Sequence, residues 1–183
     1  MSAFRFRVLL DSEKDQEIFR DIIIDQNENF ETFYRTILAS FNFEGKEMGS
    51  FYMSNDEWDK GYEIGLMDMS FSDEEEDLPG VMSQSTLKDF MEAPDQKIIL
   101  VYDFLRMWIF LIELQGTSDK NVSGKPEVAM TVGIAPPEDS RLIQEDLFGS
   151  EGYDEDEPLG EFDEGYEDGY DEEDLGGYEE YEY

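Results

Sequence analysis

The segment from Lys97 to Gly116, KIILVYDFLRMWIFLIELQG, constrains the fold more than any other part of the chain. Two blocks of β-branched and aromatic residues meet at a polar break, Asp103 to Arg106, as two strands joined by a short turn would. Strands this apolar belong in the middle of a sheet, so the pair locates the core. Tyr102 and Trp108 flank the break and are expected to be largely buried, with Ile37 and Phe41 packed on the same sheet.

Shorter patterns complete an α+β reading, a mixed or antiparallel sheet packed on one main helix. Phe4, Phe6, Val8 and Leu10 alternate with Arg5, Arg7 and Leu9, the period of a half-buried strand. A second strand over about residues 17 to 24 makes an N-terminal hairpin, although Arg20 falls among its isoleucines. Phe30, Phe33, Ile37 and Phe41 recur at helical spacing, with Tyr34 and Leu38 widening the stripe. Asn29 is placed to cap this helix and Gly45 to stop it. Further strands are expected over residues 48 to 53, 62 to 66 and 128 to 134. A short helix over residues 86 to 91 follows Ser85 as its cap, and Asp73 to Asp77 reads as a solvated loop.

Composition changes abruptly near Ser150. Residues 1 to 150 are enough for one self-sufficient core. Residues 151 to 183 hold 17 acidic side chains, no basic ones, six glycines and six tyrosines, and are expected to be a disordered acidic tail. Over the whole chain 48 acidic against 13 basic residues give a formal charge of -35, which repels nucleic-acid phosphates and anionic lipid. Direct nucleic-acid binding is therefore not expected, and a basic protein is the favoured partner.

The apolar run near the N-terminus reaches only from Val8 to Leu10, too short for a signal-peptide core. Asp103, Arg106 and Glu113 interrupt the stretch from Ile98 to Leu114, where a membrane helix needs about twenty apolar residues. No membrane association and a cytoplasmic location are the resulting expectations. Cysteine is absent, so there is neither a disulfide framework nor a thiol nucleophile.

Histidine is absent too, which removes the commonest general base. Asp103, Glu113, Glu138 and Asp139 could form a carboxylate cluster that binds a divalent cation or shares a proton. The structural alternative has Asp103 and Glu113 pinning the hairpin, Arg106 or Arg20 pairing with them, and residues 136 to 139 forming a rigid turn. The second is favoured, because spacing alone does not show that these groups converge. No Gly-rich phosphate loop, GxSxG or HExxH pattern occurs, and no cofactor is expected.

Several residues together carry a resemblance. Arg20 within IFRDIII, the helix pattern Phe30, Phe33, Ile37, Phe41, the triplet Tyr102-Asp103-Phe104, then Trp108 and Glu113, and finally Ala135-Pro136-Pro137-Glu138-Asp139 resemble the Ri-plasmid open-reading-frame-three family over about residues 4 to 143. The resemblance implies a β-grasp-like α+β domain, found in plasmids, transposons and chromosomes, with no established activity. Family members tend to carry histidines where this chain holds Tyr34, Glu47 and Phe110. The Gly-Asp expected after the triplet is replaced by Leu105-Arg106, and a Cys-Gly-Gly by Ser140-Arg141-Leu142.

Three functional readings follow. The first is a non-enzymatic interaction module whose acidic tail contacts basic partners. The second is a nucleic-acid-related accessory protein of a mobile element, its tail mimicking phosphate. The third is a small carboxylate-based hydrolase.

Overall fold

The structure, a computed structural model, describes residues 2–13, 15–68, 78–122 and 124–143. The loop expected at Asp73 to Asp77 and the acidic tail lie outside the described residues. Those that are described belong to a single compact unit, residues 1 to 149.

Eight strands form one sheet: β1 (Ala3–Leu10), β2 (Phe19–Asp25), β3 (Gly49–Met53), β4 (Glu63–Gly65), β5 (Gly80–Val81), β6 (Lys97–Tyr102), β7 (Trp108–Ser118) and β8 (Glu127–Val132). Their order is β5-β4-β3-β6-β7-β1-β2-β8, antiparallel throughout except for the pair β4 and β5. The hairpin of β6 and β7 occupies the middle, in the register Lys97 to Glu113 through Tyr102 to Trp108. Alternation then sends Ile98, Leu100, Tyr102, Trp108, Phe110, Ile112 and Leu114 to one face, where all are buried. The same face takes Phe4, Phe6 and Val8 from β1 and Ile22 and Ile24 from β2.

Helix α1 (Phe30–Ser40) packs on that face. It begins where expected, because Asn29 adopts an extended backbone and its side-chain oxygen accepts from the Thr32 N–H at 2.9 Å. Its stripe is aromatic: the Phe33 ring lies 4.6 Å from Phe6 and 5.7 Å from Phe51, and Phe41 lies 5.0 Å from Phe110.

The stop differs from the sequence expectation. Asn42, at φ 61°, takes the left-handed position, its N–H bonding Ala39 O and the Phe43 N–H bonding Leu38 O. That double closure satisfies two carbonyls and folds Phe43 back into the core, so Gly45, though left-handed itself, lies beyond the stop. The second helix, α2 (Leu87–Phe90), is one turn long, and Ser85 does not cap it. The Ser85 hydroxyl instead donates to Val81 O, while Thr86 holds the cap position. The sequence did not suggest β5 or the 3-10 turn Met82–Gln84.

Candidate functional site

Chemistry collects where the central hairpin turns. Asp103 and Met107, at φ 58° and 55°, bracket the turn, and the Met107 N–H bonds Asp103 O at 2.6 Å. The Asp103 carboxylate closes it from inside, Oδ1 accepting from the backbone N–H of Leu105 and Arg106 at 3.0 and 3.2 Å. Asp103 Oδ2 also faces Arg106 Nε at 3.5 Å. A carboxylate committed in this way is a turn former.

The segment around Pro136 and Pro137 folds over this end of the sheet. The Tyr102 hydroxyl donates to Glu138 Oε1, and the indole N–H of Trp108 donates to Glu138 O at 3.0 Å. Glu138 Oε2 accepts from the Glu44 N–H at 2.6 Å, which ties the segment to the loop after α1. Arg141 lays its guanidinium 4.5 Å above the Trp108 ring and donates to Met107 O, and Arg106 returns a bond to Arg141 O at 2.8 Å.

Tyr102 and Tyr34 are coupled across the loop. Tyr34 donates to Glu47 O at 3.1 Å, the Glu47 N–H donates to the Tyr102 hydroxyl at 3.3 Å, and the rings stand 6.1 Å apart. Burial pushes both phenols well above their ordinary range, and the bond to Glu138 raises Tyr102 further. Each stays protonated at neutral pH and acts as a donor.

These contacts frame a cleft of about 430 Å³ lined by Asn42, Glu44, Lys46, Glu47, Asp103, Arg106, Pro137, Glu138 and Asp139. Five of those nine side chains are acidic and two are basic. Glu44, Glu47 and Asp139 are exposed at its rim. Glu44 already holds Lys46 in an ion pair of 2.5 Å. The arrangement can receive a cationic group through the carboxylates of a cleft whose Glu138 side is fixed by the bonds from Tyr102 and Trp108.

Of the residues singled out from sequence, Tyr102, Asp103, Trp108, Glu138 and Asp139 come together at this end. Glu113 does not. It pairs in register with Lys97 and Arg7 on the opposite face, 3.9 Å from Lys97 Nζ, so the four-carboxylate cluster does not form. Arg20 pairs with neither acid. It is buried on the core side, where Nε donates to Ser40 O at 2.9 Å, NH1 donates to Phe19 O and Val132 O at 2.8 and 2.9 Å, and the guanidinium covers the Phe41 ring at 4.6 Å. Carbonyl dipoles replace the expected carboxylate partner. Among the described residues no group of three or more carboxylates is placed to hold a metal ion.

Sequence reasoning missed the part played by the loop of residues 42 to 47, which carries no motif of its own. It also offered Arg141 only as a departure from a family pattern. The three positions at which the resemblance implies histidine converge on the same region: Tyr34 and Glu47 are bonded as above, and Phe110 packs 5.9 Å from Phe43.

The profile of plasmid pRiA4b ORF-3-like proteins matches residues 2–176. A crystal structure of a protein of unknown function from Methanosarcina mazei Go1 superposes with a TM-score of 0.61 at 20% identity, covering 80% of each chain, which places the two in one fold. No curated protein matches the chain.

Proposed function

This chain belongs to the plasmid pRiA4b ORF-3-like family, and we propose that it serves as a non-enzymatic interaction module that receives a basic segment of a partner protein. The observation that carries this reading is the acidic cleft at the hairpin end, with its rim carboxylates of Glu47 and Asp139. The groups that a catalyst would use are spent on shape: Asp103 closes a turn, Glu138 joins Tyr102 to Glu44, and both tyrosines hold their protons. A lysine or arginine entering the cleft would meet unmatched negative charge between walls already held in place through Glu138, so little ordering cost opposes binding. The 17 carboxylates of residues 151 to 183 add long-range attraction and act in the same sense. A location in the cytoplasm suits a chain without cysteine.

The test is a salt titration of binding to a basic partner recovered by pull-down, comparing the full chain, a chain ending at Ser150 and the double variant E47Q/D139N. The reading predicts that E47Q/D139N weakens binding several-fold at low salt and that the gap closes as salt rises. Equal affinity for all three proteins removes the cleft from the interaction.

The tail composition also favours a second reading, a mobile-element accessory protein whose acidic run occupies the phosphate groove of a DNA-binding partner. Competition between DNA and the full chain, lost in the chain ending at Ser150, separates this from the first.

A further inference from the structure

The two edges of the sheet are built differently. At one end β5 is two residues long and follows Pro79, which blunts it as a template. At the other, β8 is six residues long, its four middle residues are exposed, and no charge interrupts the sequence from Val128 to Ile134. Among the described residues β8 has no strand on its outer side, and the register shows which of its groups face outward. The Leu10 N–H donates to Ile18 O at 2.9 Å, so even-numbered residues of β2 turn their backbone groups toward β1 and odd-numbered ones toward β8. Asp21 faces Met130 and Phe19 faces Val132, so between them the N–H and C=O of Thr131 point away from the sheet.

A groove of about 540 Å³ runs beside this edge, lined by Val128 and by Thr32, Arg35, Thr36, Ala39 and Ser40 of α1. The β-bulge opposite Asp21 and Ile22 brings Val128 to the α1 side. Arg35 in that wall is already paired with Glu31 at 2.8 Å, so the groove presents small, largely neutral groups.

We propose that β8 is a strand-addition site that takes an extended segment of a partner, alternating small apolar residues with lysine or arginine. The open backbone groups of β8 specify a strand. The groove over Thr36 and Ala39 admits small apolar side chains at every second position, and the alternate positions project from the other face. The occupant is a cationic partner rather than a second copy, because each copy carries a formal charge of -35, so two copies repel one another while a cationic segment is drawn in. This surface shares no lining residue with the hairpin cleft, and its test stands apart from that reading.

The probe is a blocked heptapeptide alternating lysine with valine, titrated into the full chain by calorimetry with amide exchange read at Ala129 and Thr131. T131P deletes the outward N–H while leaving the pairing to β2, T131V keeps that N–H, and A39R fills the groove from an exposed helix position. The proposal predicts that T131V binds like the parent, that T131P and A39R each bind roughly tenfold more weakly, and that exchange at Thr131 slows on binding. A39R keeps the test decisive if T131P fails to fold. Three results overturn the proposal: equal binding to all variants, unchanged exchange at Thr131, or a concentration-dependent dimer of the parent that T131P abolishes.

Discussion

Two buried charges, neighbours in sequence, are held in opposite ways. Arg20 points into the core and is satisfied by carbonyls of the α1 end and of β8, and burial lowers its pKa from the ordinary value. Replacing it with alanine should cost about 2–4 kcal/mol, since several carbonyls lose their donor and Phe41 loses its cover. Urea unfolding checks this, and a cost below about 0.5 kcal/mol would mean that water already serves those carbonyls. Asp21 lies on the other face between Arg5 and Arg7, each 2.9 Å away. Burial pushes its pKa up, but the bonds and charges of Arg7 and Arg5 together outweigh burial and hold it below the ordinary range. A depressed folded pKa gives stability that is present above the unfolded value of about 4 and is lost as pH falls through the folded value. D21N should therefore flatten the acid side of the stability profile below about pH 4. A parallel acid limb in the variant would contradict this. Neither environment was legible in sequence: alternation put Arg20 on the core side while its charge argued for the surface, and its partners are backbone atoms that no sequence pattern marks.

At the scale of elements, the central hairpin and α1 were readable because their patterns are local. The polar break at Asp103 marks a turn, and aromatic residues three and four apart mark a buried helix stripe. The true helix stop was not readable, since Gly45 is the stronger signal and Asn42 acts only through its left-handed backbone. N42A should lose about 1 kcal/mol, the cost of a left-handed non-glycine residue, while N42G stays near the parent. Thermal melts of the pair check this, and equal losses would point to the side chain rather than the backbone. Trp108 ties the hairpin to the segment after β8 through its indole N–H and Arg141, and to the loop after α1 through Phe43. W108A should cost about 3–5 kcal/mol, as loss of a buried aromatic does. A cost under about 1 kcal/mol would place the ring outside the core.

For the whole molecule, the candidate site exists only because three distant stretches meet. Tyr102 and Glu138 are 36 residues apart and Glu44 and Glu138 are 94 apart, so sequence could show the motifs but not their convergence. The same reasoning explains why Glu113, close to Asp103 in sequence, is absent from the site: the five residues of β7 from Trp108 onward carry it down the hairpin and, being an odd number, onto the opposite face. The net charge of -35 was legible and bears on every encounter the protein makes. Removing residues 151 to 183 should leave the thermal midpoint unchanged or slightly higher, because the excised carboxylates repel an acidic body. A clear fall in that midpoint would show that the segment supports the domain. The central claim, a cleft that receives a cationic group, is tested most directly by backbone amide shift mapping with a blocked arginine-rich peptide added to the full chain. The account predicts shifts concentrated at residues 42 to 47, 103 to 106 and 137 to 139, whereas shifts confined to residues 151 to 183 would contradict it.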